Sequence, residues 1–225
     1  MEFWLDTTDE KIITEATGLG ILSGVTTNPS ILSKEQCSPE TSLRRLLDIQ
    51  PGYVAAQVLA DDVAGMIKQA EKIAKLSSNN RMIIKIPASQ EGFKVMALLR
   101  NQGIATLATT VFETKQLILS SFVGAHYIAP YLGRINNVTG NALDIVAEMQ
   151  AIIRAQQNSI KIMAAAIQTA QQVCDCARIG VSAITVPVDV YKELFSCSAP
   201  VYESLDKFKA DWQRNTATAT ADLFS

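Results

Sequence analysis

Eight short β-rich runs, each followed by a helical pattern, constrain this chain more than any other feature. They are "EFWLDT" (2–7), "SGVTTN" (23–28), "YVAAQVLA" (53–60), "RMIIKIPA" (81–88), "ATLATTVF" (105–112), "HYIAPYLG" (126–133), "KIMAAAI" (161–167) and "AITVPVDV" (183–190). Their starts lie roughly 20 to 35 residues apart, room for a helix and two loops each time. Eight such units predict an α/β fold, a closed parallel (β/α)8 TIM barrel ringed by helices. An open doubly wound sheet would carry a glycine-rich phosphate turn after its first strand. Here that turn reads "LDTTDEK" and holds no glycine.

The segments between the runs have helical spacing and punctuation. "DDVAGMIKQAEKIAKLSS" places Val63, Met66, Ile67, Ala70, Ile73 and Ala74 on one stripe behind an aspartate cap. "SQEGFKVMALLRNQG" opens on a serine and closes on a glycine, and "TAQQVCDCARIG" closes the same way. In "TGNALDIVAEMQAIIRAQ", Leu143, Val146, Met149 and Ile153 recur at helical intervals. Beyond the eighth run, Val201, Leu205, Phe208 and Trp212 make residues 201–214 an extra amphipathic helix. Residues 215–225, "TATATADLFS" with the residue before it, are expected to be a flexible tail. No linker or shift in composition divides the chain, so residues 1–225 are expected to form a single domain.

Hydrophobic residues make up 48% of the chain and charged residues 19%, enough for a large core. A net charge of −2 gives no footprint for nucleic acid, and no run of 18 apolar residues suggests a membrane span. The opening "MEFWLDTTDE" is acidic and soon polar, unlike a secretory leader, so a cytoplasmic home is expected. The cysteines, Cys37, Cys174, Cys176 and Cys197, read as reduced thiols, and one histidine, His126, leaves no multi-histidine metal site. Neither a metal nor another cofactor is expected.

Within the apolar fourth run sits Lys85, between Ile84 and Ile86. Lysine is rarely fully buried unless paired or functional, and burial disfavours an ammonium. One account is a packed stem with its head reaching water. The other is a neutral amine that attacks a carbonyl. Side-chain alternation sends Ile83, Lys85 and Pro87 to one face, and the other two isoleucines to the helices. In such a barrel chemistry collects at the C-terminal strand ends. Those ends also carry Asp6, Thr26, Thr27, Asn28, Gln57, Thr109, Thr110, Tyr131 and, just beyond, Arg134. Each has an ordinary account. Asp6 caps a helix, Asn28 and Pro29 start one, and the threonines suit strands. Their clustering at corresponding ends of six strands favours a reaction site. Its chemistry would be imine catalysis, with a lysine nucleophile, a carboxylate for proton transfer and a cation for phosphate.

The stretches "LDTTD", "GVTTNPSIL", "AQVLA", "IIKIPASQEG", "TLATTVF", "APYLGRI" and "PVDV" resemble the transaldolase family, and more closely its small fructose-6-phosphate aldolase branch. They occur in the family's order along residues 1 to about 214. The resemblance implies a metal-free class I aldolase barrel. In it Lys85 is the Schiff-base lysine, and Asp6 the carboxylate that contacts substrate hydroxyls and moves protons. Thr26 and Asn28 hold the donor's hydroxyls, and Gln57, Thr109 and Tyr131 hold a catalytic water. Arg134 faces phosphate. The resemblance also implies a homo-oligomer, a pentamer or decamer, in which residues 201–214 reach a neighbour.

Transaldolases of this family usually carry glutamate at the position of Gln57 and phenylalanine at that of Tyr131, so both positions read as the aldolase branch. Ala166 departs from that branch, where a serine helps hold phosphate, and Phe112 and Ile167 depart in the neighbouring wall. The expected activity is cleavage and formation of fructose 6-phosphate from dihydroxyacetone and glyceraldehyde 3-phosphate. The alternatives are a transaldolase that moves the same three-carbon unit between sugar phosphates, and a catalytically silent sugar-phosphate binding barrel.

Overall fold

A computed structural model of the chain describes residues 1–214. The flexible tail expected at 215–225 lies outside the described residues. Contacts divide the chain into two units, Met1–Tyr191 and the residues from Lys192 onward. The first unit is a closed barrel of eight parallel strands in sequence order. Its elements are β1 (Glu2–Asp6), α1 (Glu10–Gly18), β2 (Leu22–Thr26), α2 (Pro29–Leu32), α3 (Pro39–Ile49), β3 (Tyr53–Gln57), α4 (Val63–Ala74), β4 (Met82–Pro87), α5 (Gln90–Asn101), β5 (Thr106–Val111), α6 (Thr114–Phe122), β6 (Tyr127–Pro130), α7 (Leu132–Thr139), α8 (Ala142–Ala155), β7 (Lys161–Ala164), α9 (Ala170–Ile179) and β8 (Ala183–Val186). Helix α10 (Val188–Leu194) follows, and the second unit contains α11 (Ala199–Arg214). On α11, Val201, Leu205, Phe208 and Trp212 are exposed, and the helix begins two residues before the predicted start.

All eight predicted strands form, and each ends earlier than its apolar run. After Gln57 the backbone N–H groups of Leu59 and Ala60 leave the sheet and donate to Gln69 Oε1, at 2.7 and 3.0 Å. After Val186, Pro187 has no N–H for a sheet ladder and Val188 begins a helix. The sixth run stops at Pro130, and Tyr131 keeps one bridge, to Ala165, before α7 begins. Gly140, left-handed at φ +72°, ends α7 and so splits the helical stretch that follows this run. Caps follow sequence signals: Asp62 accepts from Gly65 N–H and Ser89 from Gly92 N–H. The first helix is capped by Asp9, whose carboxylate accepts from Lys11 and Ile12 N–H, which leaves Asp6 for other work.

Alternation decides what fills the barrel. Trp4, Ala55, Ile83, Leu107, Met163 and Ala183, each from a different strand, pack in one interior cluster with Tyr127. Gly24 makes room for the indole: a Cβ there would sit 2.5 Å from Trp4 Cζ3. Burying an indole of ~200 Å² contributes on the order of 5 kcal/mol. Two residues further along β4, Lys85 points the same way and stands above this floor. Ile86 faces outward against α5, where Gly92 lets the helix approach β4 closely. A Cβ at Gly92 would overlap Pro87 O, at 1.9 Å.

Candidate active site

A cavity of about 350 Å³ opens at the C-terminal ends of the strands. Asp6, Thr26, Asn28, Gln57, Lys85, Tyr131 and Arg134 all line it, so seven of the eight predicted site residues share one wall. The eighth, Thr109, meets it through Tyr131, its Oγ1 lying 2.6 Å from the phenol oxygen. A second, larger groove of about 670 Å³ runs beside α2, α3 and α4 and is lined by Leu32, Leu43, Leu59, Ile73 and Leu76. It has the greater volume, yet only the smaller cavity gathers an amine, a carboxylate and a phenol.

Lys85 is 6% exposed and its Nζ donates to Thr27 O at 2.7 Å. No salt bridge within 4.0 Å ties it to a carboxylate among the described residues. Gln57 is its direct neighbour across the β3–β4 register. Asp6 is register partner to Thr26, which donates Oγ1–H to Asp6 Oδ1 at 2.7 Å. Asn28 keeps its ordinary role too: its Oδ1 accepts from Ile31 N–H and caps α2, with Pro29 at the first helical position. That fixes the Asn28 side chain at the cavity edge.

The β5 end is irregular. Its register with β6 shifts between Ala108 and Val111, and Thr110 takes a left-handed φ of +57°. For a β-branched residue this is a genuine outlier, costing about 1–3 kcal/mol, and such strain concentrates at functional sites. The irregularity brings Thr110 to the cavity lining, while Thr109 reaches Tyr131. Tyr131 also packs edge-on against Phe112, with ring centroids 5.8 Å apart, and beneath the Arg134 guanidinium at 5.2 Å. Arg134 is exposed at the rim. Ala166, left-handed at φ +54°, lines the same rim and offers no hydroxyl there, whereas Ile167 is buried.

Two polar residues of the cavity lining, Ser30 and Thr185, escaped sequence reasoning. Thr185 on β8 is 4% exposed, lines the cavity and sits 2.7 Å from Thr26 Oγ1. The signal was present in "AITVP", a hydroxyl two residues beyond the inward Ala183, but threonine is common in strands.

Solved structures of remote sequence share the barrel. Inosine 5′ monophosphate dehydrogenase from Legionella pneumophila superposes with a TM-score of 0.60 at 12% identity, over 84% of this chain and 58% of that one. A mutant flavocytochrome b2 with sulfite bound does so at 0.58 and 13% identity, over 83% and 57%. At such identities only the fold is shared. Sequence goes further. Residues 3–224 match the transaldolase/fructose-6-phosphate aldolase family. A probable transaldolase of Geobacillus kaustophilus is 37% identical over 214 residues, which is 95% of this chain and 99% of the relative. One of Methanococcus maripaludis is 33% identical over 217 residues, 96% and 99% of the two chains. The chain belongs to the transaldolase/fructose-6-phosphate aldolase family, and it is an enzyme of the aldolase or transaldolase type.

Proposed function

We propose that the chain is a metal-independent Schiff-base aldolase that cleaves and forms fructose 6-phosphate, working in the cytoplasm. The observation that carries this reading is the buried Lys85 amine, unpaired with any carboxylate among the described residues, in one cavity with a tyrosine hydroxyl hydrogen-bonded to Thr109. Lys85 Nζ adds to the C2 carbonyl of the ketose and water leaves, giving an iminium ion. The Asp6 carboxylate takes the proton of the C4 hydroxyl. The C3–C4 bond breaks, its electron pair moves into the iminium as an enamine, and glyceraldehyde 3-phosphate departs. A water held by Gln57, Thr109 and Tyr131 gives a proton to C3 and takes the one on Asp6, which restores the carboxylate, and hydrolysis of the resulting iminium releases dihydroxyacetone.

Thr26 and Asn28 are suited to hold the hydroxyls of the three-carbon unit, and Arg134 at the rim to hold the phosphate. Without a hydroxyl at Ala166, phosphate loses a neutral hydrogen bond of roughly 0.5–1.5 kcal/mol but keeps the charge of Arg134. Four free thiols suit a reducing compartment. The exposed Val201, Leu205 and Phe208 of α11 support an assembly of several copies, expected to be a pentamer or decamer.

The name carried by the relatives favours a second reading, transfer of the dihydroxyacetone unit to another aldose phosphate. Borohydride reduction in the presence of fructose 6-phosphate tests the common step: a ketose-derived mass on the Lys85 peptide is expected, and its absence sinks imine catalysis. Incubation with fructose 6-phosphate alone, then with erythrose 4-phosphate, separates the readings. Free dihydroxyacetone without an acceptor is expected; turnover only with the acceptor would make the enzyme a transaldolase.

A further inference from the structure

A chain of hydrogen bonds across three strands has a direction that can be read. Thr26 Oγ1 on β2 donates to Asp6 Oδ1 on β1, and the same oxygen lies 2.7 Å from Thr185 Oγ1 on β8. A threonine hydroxyl has one proton, and an ionised carboxylate only accepts. Thr26 gives its proton to Asp6, so the proton between the threonines comes from Thr185. The chain runs from Thr185 to Thr26 to Asp6. Thr26 and Thr185 are 1% and 4% exposed, so solvent is a poor substitute for a missing partner. β2 and β8 are the two strands that flank β1, so the bridge closes over the strand that bears the carboxylate.

We propose that Thr185 is a positioning residue for the carboxylate that receives the substrate proton. This rests on the imine reading of the site. The Thr185 hydroxyl fixes the rotation of Thr26. Thr26 in turn holds one oxygen of Asp6 and leaves the other for the C4 hydroxyl of the ketose. Aligned donors polarise one another, so the whole chain strengthens the hold on Oδ1. A carboxylate turned away from the C4 hydroxyl loses rate while the ketose still binds through Thr26, Asn28 and Arg134. The effect therefore falls on kcat. If the threonines merely satisfied each other in the core, their loss would lower stability and leave kcat unchanged.

The test compares Thr185→Val, which keeps the shape, with Thr185→Ser, which keeps the hydroxyl, on fructose 6-phosphate. Thr185→Val is expected to lower kcat roughly tenfold with KM within about twofold, and Thr185→Ser to stay within about threefold of the unmodified enzyme. Thr185→Cys, whose thiol is a weak donor, reads the same loss if the valine variant fails to fold. Borohydride trapping of the unmodified enzyme comes first. An untrapped Lys85 overturns the imine reading, and this role with it. A trapped enzyme whose valine or cysteine variant keeps full kcat, or whose serine variant is as slow as the valine one, overturns the role of Thr185 alone.

Discussion

The two mouths of the barrel hold the same kinds of residue and use them differently. At the N-terminal mouth Lys161, Glu2 and Tyr127 meet directly. Lys161 Nζ lies 2.6 Å from Glu2 Oε1, and Tyr127 Oη and Trp4 Nε1 donate to Oε2 at 2.9 and 3.0 Å. Burial pushes the Glu2 carboxyl up, but the hydrogen bonds from Lys161, Trp4 and Tyr127 outweigh it and hold the group below its ordinary value. Burial first, then the bond to Glu2, pushes the Tyr127 phenol up. At the C-terminal mouth the lysine, carboxylate and tyrosine are kept apart. Lys85 is held by a backbone carbonyl, Asp6 by a hydroxyl and Tyr131 by Thr109. Even the cation above a tyrosine ring recurs, Lys161 over Tyr127 at 5.5 Å and Arg134 over Tyr131 at 5.2 Å. Residue type alone does not make a site. An ion pair ties the N-terminal lysine to its carboxylate, whereas the C-terminal amine and carboxylate have neutral partners, as the proposed reaction requires.

The sharpest way to break this comparison is to remove each lysine. Lys85→Met is expected to abolish cleavage, by at least about a thousandfold, and to leave the thermal midpoint the same or higher. Lys161→Met is expected to keep kcat within about twofold and to lower the midpoint modestly, as a partly exposed pair contributes on the order of 1 kcal/mol. Comparable activity losses in the two variants would erase the distinction. Next come the tyrosines. Tyr131→Phe should slow release of free dihydroxyacetone by about a hundredfold and slow transfer to an acceptor less, measured by parallel assays. Equal losses would contradict a role for its hydroxyl in protonating the enamine. Tyr127→Phe removes a hydrogen bond to a charged group, and denaturant unfolding should read a loss of about 1.5 kcal/mol with kcat unchanged.

The smallest expected effect concerns pH. The Glu2 carboxyl is lower in the folded chain than its ordinary 4.5. Its contribution to stability is therefore complete above that value and is lost as pH falls through the folded pKa. Midpoints recorded from pH 6 down to about 3 should fall less steeply for Glu2→Gln than for the unmodified chain, and parallel curves would remove Glu2 from the acid response.

How far the sequence could be read depends on which physical signal each feature left. The barrel was legible because parallel strands buried on both faces appear as apolar runs, and their spacing requires crossover helices. Lys85 and Gln57 stood out because polar groups in apolar strands demand partners, and Asp6 because it falls at a strand end beside other polar ends. Strand ends were not, since Leu59 and Val188 continue the apolar pattern after the backbone has left the sheet. The bond between Thr26 and Thr185 joins positions 159 apart in the chain, and nothing local in "AITVP" announces it. Thr110 was least legible of all: a β-branched side chain argues against the left-handed backbone it adopts.

The tightly packed floor beneath Lys85 has a consequence for traffic. Trp4, Ile83, Leu107 and Met163 fill the barrel below the cavity as one packed apolar layer. On the imine reading, a ketose bound above that floor enters and leaves at the C-terminal mouth. The first aldehyde would then leave by the same mouth before a second aldehyde takes its place. On the transfer reading this order is ping-pong: double-reciprocal plots with the ketose varied at several fixed acceptor concentrations should be parallel lines.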